Sequence, residues 1–158
     1  MGIELRPIRR AELPGWLARV RDGYADDMVR NGGASSDQAR AKAEADTESL
    51  FPGGNSSAEQ FVYVVEVDGE PAGHVWFAVR EGEFGRTIWV FSVNIDVGFR
   101  GRGLGRTAML FVEDEARRRG IPKIALNVFG GNEVARGLYR SLGYDEVAVE
   151  MAKAVSKG

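Results

Sequence analysis

Apolar residues recur along this chain with two different periods. Ile3 to Ile8 (IELRPI) alternates apolar and polar side chains, the signature of a short first strand. From Leu13 to Arg30 the period lengthens. Leu13, Trp16, Leu17, Val20, Tyr24 and Met28 fall three or four apart, which predicts an amphipathic helix. The sequence NGGASS interrupts it. Ser35 with Gln38 three residues on matches a capping box and opens a second helix through about Leu50. FPGGNSSAEQ then reads as a loop from its turn-forming residues.

The middle of the chain returns to strand-like patterning. FVYVVEV (Phe61–Val67), GHVWFAV (Gly73–Val79) and TIWVFSVNIDV (Thr87–Val97) are rich in β-branched and aromatic residues. Short polar connections predict an antiparallel meander, with Asp68-Gly69 as a tight turn. In the last of these, strand four, alternation places Trp89, Phe91, Val93, Ile95 and Val97 on one side. Ile88, Val90, Ser92, Asn94 and Asp96 occupy the other, which becomes polar toward its end: either an open face, or a strand end reaching solvent. Leu104, Ala108, Phe111, Val112 and Ala116 mark a third helix ending at Gly120, with Pro122 preventing continuation. KIALNVF (Lys123–Phe129) predicts a fifth strand. Asn132 caps a short helix bearing Val134, Leu138 and Leu142 and stopped by Gly143, and DEVAVEM (Asp145–Met151) predicts a last strand. This order describes a single α+β domain over residues 1–158.

Composition removes several chemistries. The 158 residues contain no cysteine, excluding disulfides, thiol nucleophiles and cysteine-ligated metals. One histidine, His74, argues against a multi-histidine metal site, so no metal is expected. A net charge of −2 supplies no global attraction to nucleic acid or anionic lipid. MGIELRPIRR lacks a signal-peptide core, no run reaches membrane-spanning length, and Arg6 stands where myristoylation requires Ser or Thr. The expectation is a cytoplasmic protein without nucleic-acid or membrane partners.

One segment stands apart from both periods. Arg100 to Arg106 (RGRGLGR) packs three glycines and three arginines between strand four and the third helix. Unpaired amides at a helix N-terminus, the helix dipole and glycines that admit close approach together make an anion site. A Walker loop requires Gly-Lys-Ser/Thr, whereas Arg106 follows Gly105 here. The dinucleotide fingerprint requires a third glycine at position 106 and a parallel βαβ unit. The loop by itself is also compatible with a solvated basic turn or a short RNA contact.

The downstream stretch LNVFGGNEVARGLYRSLGY (Leu126–Tyr144) narrows these choices. With FRGRGLG it resembles the GNAT superfamily of acetyl-CoA-dependent N-acetyltransferases. The family loop Gln/Arg-x-x-Gly-x-Gly/Ala is matched by Arg100, Gly103 and Gly105. A family-like Asn-x-x-Ala-x-x-Leu-Tyr-x-x-x-Gly-Phe/Tyr is matched by Asn132, Ala135, Leu138, Tyr139, Gly143 and Tyr144. The 32 positions from Arg100 to Asn132 accommodate one helix, one strand and a turn.

The resemblance implies a mixed, mostly antiparallel central sheet flanked by helices and splayed between strands four and five. It further implies that acetyl-CoA lies in the splay as a cosubstrate. Its pantetheine would bond strand-four backbone near Val93 to Ile95, and its pyrophosphate would rest on Arg100, Gly101, Arg102, Gly103, Leu104, Gly105 and Arg106. Asn132 would meet it from the other wall. The reaction implied is acetyl transfer to a primary amine by direct attack in a ternary complex. The alternative is an acyl-CoA-binding sensor or interaction module with little catalysis.

Tyr139 matches the family's general acid. The strand-four glutamate that serves many relatives as base falls on Asn94, which cannot accept a proton at neutral pH. Asp96 is the nearest carboxylate on that side and Glu83 a distant second; otherwise water takes the proton, or the amine binds neutral. His74 reads as a hydrogen-bonded packing residue or a base, Asn127 as a splay-facing contact or a plain strand residue, and Glu113–Arg119 as a solvated helix face. Seven acids against three bases from Asp22 to Glu48 either attract a cationic amine or solubilise two helices. The acceptor is a small-molecule or peptide amine. Relatives often form dimers, which makes a homodimer one arrangement the resemblance allows.

Overall fold

A computed structural model describes residues 1–157. Five strands form one sheet in the order β1-β2-β3-β4-β5: β1 (Ile3–Pro7), β2 (Gln60–Val67), β3 (Glu70–Gly82), β4 (Gly85–Ile95) and β5 (Ile124–Leu126). The first four pair antiparallel, and β5 joins β4 in parallel. Four helices flank them: α1 (Leu13–Gly32), α2 (Ser36–Leu50), α3 (Leu104–Arg119) and α4 (Glu133–Ser141). This is the mixed sheet expected from the sequence. Among the described residues no helix is long and apolar enough to cross a membrane.

Local signals set most boundaries. Ser35 Oγ accepts from Gln38 N at 3.2 Å while Gln38 Oε1 accepts from Ser35 N at 3.0 Å, completing the predicted capping box. Asp68 and Gly69 both take positive φ (50° and 84°), the backbone of a tight hairpin turn. Asn132 Oδ1 accepts from Ala135 N at 3.2 Å and caps α4.

Each face of the sheet carries its own core. Val65, Val75, Phe77, Ile88 and Val90 pack against Ala108, Met109, Val112 and Ala116 of α3. Across the sheet Val62 and Trp76 pack with Leu13, Trp16 and Leu17 of α1 and with Phe51, which follows α2. Removing side chains such as these from water supplies the dominant stabilising free energy, roughly 1.5–3 kcal/mol for each large apolar group. Arg6 of β1 ties the start of α1 to β2, bonding Glu12 (Nη1–Oε1 2.8 Å) and Glu66 (Nε–Oε2 3.0 Å). These contacts hold the Glu12 carboxyl down at about 2.

Four sequence expectations fail. The single alternation along strand four breaks at a β-bulge: Trp76 opposes Ser92 but Phe77 opposes Val90, leaving Phe91 as the extra residue. Val93 and Ile95 consequently pack on the α3 side with Ile88 and Val90. Phe91 stacks on Trp76 over the α1 side, with ring centroids 4.4 Å apart, and Val97 lies in a 3-10 turn after β4. The fifth strand is only three residues long, and Asp145–Met151 forms no strand at all. Val134 on α4 is exposed rather than part of a buried stripe. Finally, Glu113–Arg119 is not wholly solvated: Glu115 is buried, bonded by Arg118 and by Arg119 Nε at 3.2 Å. A buried carboxylate requires such partners.

Candidate active site

The site begins where β4 and β5 part. Pairing between them covers only Ile88↔Ile124, Trp89↔Ala125 and Val90↔Leu126. Beyond Val90 the β5-facing backbone of β4 has no strand neighbour, although β3 accompanies it to Ile95. The splay is therefore real, and its free peptide groups can bond an extended ligand as a pleated partner would. Val93 and Ile95 lie on this length. Their side chains belong to the α3 core, so only their backbone is offered to the splay.

After β4 the chain makes a 3-10 turn (Val97–Phe99) and enters the glycine loop. Gly101 and Gly103 have φ of 79° and 76°, a left-handed conformation that costs other residues roughly 1–2 kcal/mol. Nothing stands within 4 Å of a Cβ placed on either. Protein packing therefore does not demand glycine here; backbone conformation does. Gly103 is the N-cap of α3, so the amides of Leu104, Gly105 and Arg106 have no acceptor within the helix. The Leu104 side chain is buried beside Val67 and Ala72, so its contribution is likewise its amide.

The three arginines brace the loop. Arg100 Nε donates to Ile95 O at 2.7 Å, Arg102 lies over the Phe99 ring, and Arg106 Nη2 donates to Ser141 Oγ at 2.5 Å. Arg106 thereby fastens the start of α3 to α4. Gly105 supports the same junction, since a Cβ there would approach Leu138 to 3.3 Å.

A wide open cleft of about 2710 Å³ runs along the α1 side of β4, through the splay, to the far side of β5. Val93, Asn94, Asp96, Asn127, Asn132 and Tyr139 all border it. Residues 100–106 do not; they form the rim outside it, beside α4. Asn132 spends its carbonyl on the α4 cap, which leaves its amide N–H groups for the cleft. Burial pushes the Tyr139 phenol above its usual range, so it carries its proton at neutral pH.

The α1-side wall was only partly foreseen. His74 opposes Asn94 across β3 and β4, and its Nε2 lies 2.8 Å from Ser92 Oγ. The ring meets Trp16 edge-on, with centroids 5.5 Å apart. Desolvation lowers His74 to about 4, so the imidazole is neutral near pH 7. Asp96 makes no ion pair among the described residues, and its backbone N–H is held by Ala72 O at 2.8 Å. Farther along, Arg80 lies over Trp89 and Phe91, its guanidinium carbon 4.8 and 4.9 Å from the two ring centroids. Sequence reading missed this stack. The signal was the spacing of Arg80 and Trp89 about the β3–β4 hairpin, which places both on one face. Glu83 sits at that hairpin's tip and does not border the cleft.

The acidic surplus of α1 and α2 mostly points elsewhere. Of its seven acids only Asp27 and Asp46 border the cleft. Asp46 is engaged by Lys42 at 3.1 Å and by the Tyr24 hydroxyl at 3.1 Å. Asp27 makes no ion pair among the described residues, and partial burial raises its carboxyl above the usual value.

A sequence profile of the Acetyltransferase (GNAT) family matches residues 20–144, which include the splay, the glycine loop and α4. The chain belongs to the GNAT family. Members are acetyl-CoA-dependent acyltransferases, and this chain is one of them. The uncharacterized N-acetyltransferase YdgE of Bacillus subtilis is 26% identical over 154 residues, covering 97% of this chain and 98% of YdgE. The crystal structure of B. subtilis YycN matches with a TM-score of 0.90 at 24% identity, over 99% of this chain and 100% of that one. AAC(6')-Iy, solved with the bisubstrate analog CoA-S-monomethyl-acetylneamine, matches with a TM-score of 0.65 at 14% identity, over 99% of both chains. At these identities the two solved structures establish the GNAT fold.

Proposed function

We propose that this GNAT chain transfers the acetyl group of acetyl-CoA to a primary amine by direct attack in a ternary complex, and that Tyr139 is the general acid. One observation carries the reading. The unpaired length of β4 and the partly buried phenol of Tyr139 border one cleft, and the free amides at the start of α3 lie on the rim just outside it. The strand and the amides fit a long ligand with an extended amide-bearing arm and an anionic end. AAC(6')-Iy holds a CoA conjugate on the same fold, which supports that assignment.

Acetyl-CoA, when bound, supplies an acyl group activated as a thioester. The chain's own residues do the rest. Backbone of β4 near Val93 to Ile95 aligns the pantetheine arm. Amides of residues 101–106 and the nearby guanidinium groups bind the pyrophosphate, and Asn132 contacts the cosubstrate from α4. Tyr139 delivers its phenolic proton to sulfur as the C–S bond breaks. Its raised pKa keeps that proton in place until a thiolate forms. Asp96, on the edge of the cleft, receives the proton released from the amine as the C–N bond forms. Asn94 binds the amine as a neutral hydrogen-bonding group.

The acceptor is a small-molecule or peptide amine that enters over Asn94, Ser92 and His74. The test is release of CoA thiol from acetyl-CoA across a panel of amines, with mass spectrometry of the products. Acetylated product with one or more amines supports the reading. Tight CoA binding with no turnover across a broad panel would replace it with the acyl-CoA sensor.

A further inference from the structure

Among the described residues five arginines border the cleft: Arg19, Arg80, Arg117, Arg136 and Arg140. The last three pair with carboxylates, Arg117 with Asp114 and both Arg136 and Arg140 with Glu146. Arg19 and Arg80 form no ion pair among the described residues, and of these two only Arg80 is fixed by stacking. Its guanidinium carbon lies 4.8 Å from the Trp89 ring centroid and 4.9 Å from that of Phe91. Phe91 is itself stacked on Trp76, whose Nε1 donates to Gln60 Oε1 at 2.7 Å. The platform beneath the charge is therefore braced.

Stacking occupies the faces of a guanidinium and leaves its edges free. The N–H donors point outward in the plane of the group, as a fork that matches a carboxylate or a phosphate. Among the described residues no side chain or carbonyl takes up the donors of Arg80, which stays exposed. Glu81 and Glu83 share its hairpin, yet neither forms an ion pair with it. Position gives this charge a use. Arg80 stands over one end of the α1-side wall, while Ser92, Asn94 and Asp96 follow Phe91 along the same cleft. Phe91 and Asn94 are three positions apart, about 10 Å at the usual strand rise. The wall is thus polarised along its length, with a held cation at one end and the free carboxylate of Asp96 at the other.

We infer that the acceptor is an amine carrying a second, anionic group, a carboxylate or phosphate about 7–13 Å from its nitrogen, and that Arg80 binds this group. The inference rests on the transfer reaction proposed above. With the amine over Asn94 and Ser92, the anion meets the free edge of the Arg80 guanidinium, and the chain between them lies along the Phe91 ring. Stacking holds the guanidinium in place beforehand, which lowers the ordering cost of binding. A polyamine would set a second cation against Arg80, and a plain alkylamine would leave it unpaired.

The experiment follows CoA thiol release by the full chain with hexylamine, ω-aminohexanoate and ω-aminohexyl phosphate, and with triglycine and triglycinamide as a second pair. Wild type is expected to favour an anionic probe over its anion-free counterpart by about tenfold or more in kcat/KM, in keeping with a charge-assisted hydrogen bond. The carboxylate and phosphate arms show which anion fits. Arg80→Gln is expected to erase the preference, through a rise of about tenfold in KM for the anionic probe, with CoA affinity and circular dichroism unchanged. Arg80→Lys keeps the charge without the fork and is expected to retain part of the preference. Equal use of anionic and anion-free probes overturns the inference and leaves the transfer reaction standing. So does a preference that survives Arg80→Gln, or a chain that acetylates other amines and none of these probes. A chain that binds CoA and acetylates no amine at all overturns the transfer reaction, and the inference with it.

Discussion

The two regions on either side of β4's free end are built in opposite ways. In the region proposed for the cosubstrate the notable elements are backbone: the unpaired run of β4, positive φ at Gly101 and Gly103, and the first amides of α3. The side chains there face inward or brace the loop, as Leu104, Arg100 and Arg106 do. In the α1-side wall, proposed for the acceptor, the elements are side chains converging from different strands and helices: His74 with Ser92, Trp16 against His74, and Arg80 over Trp89 and Phe91. The first half can bind one ligand class whatever side chains surround it. The second can be altered one residue at a time, and under the proposed function it is where the choice of amine would be set.

That contrast predicts separable effects. The largest concerns chemistry itself. Tyr139→Phe is expected to lower turnover by about 10²–10⁴, the usual contribution of a general acid, with CoA affinity little changed; turnover within a factor of ten of wild type would remove Tyr139 from that role. Next is stability against pH. His74 titrates near 6.5 when unfolded and at about 4 when folded, so the unfolded chain binds the extra proton between those values. Its contribution is complete above pH 6.5 and declines as pH falls toward 4, by up to about 3 kcal/mol. Urea unfolding of His74→Gln should show a flatter profile across that window. Glu12 acts lower, its contribution being lost as pH falls from 4.5 toward about 2.

Smaller effects divide the two halves. Gly103→Val forces a branched residue into a left-handed backbone, a strain of roughly 1–2 kcal/mol that displaces the α3 amides when relieved. Calorimetry should find CoA binding weakened about tenfold, with the amine KM changed much less; unchanged CoA affinity in a folded variant would sink the loop assignment. The converse is Asp27→Asn. It should raise the KM of a cationic amine by only a few-fold, in keeping with about 1 kcal/mol for a partly exposed charge, and leave CoA affinity alone. An equal change in both constants would show that the halves are not independent.

The features legible in advance share one property: a short stretch of chain decides them. Ser35 and Gln38 cap α2 because both partners lie within one turn, and Asp68-Gly69 turns because its own backbone tolerates positive φ. The glycine loop and Asn132 cap were readable for the same reason. The α1-side wall was not. A two-residue turn between Gly82 and Gly85 would, by register alone, put His74 opposite Val93; the extra residue at Phe91 moves it to Asn94. One bulge thereby turns Val93 and Ile95 into the core and gives His74 its bond to Ser92. At Gly73 the same strand pair approaches so closely that a Cβ would collide with Asn94 O.

The sequence by itself determined the order of the helices and of the first five strands, the caps, the turns and the glycine loop at the start of α3, since these follow from backbone preferences and contacts a few residues apart. Only the tertiary structure decided which side chains share the α1-side wall, that Glu115 is buried between arginines, and that Asp145–Met151 stands unpaired beside an open β5 edge. Those outcomes depend on register and on which surfaces remain free once the layers pack, and a one-residue slip in pairing reverses every side chain beyond it.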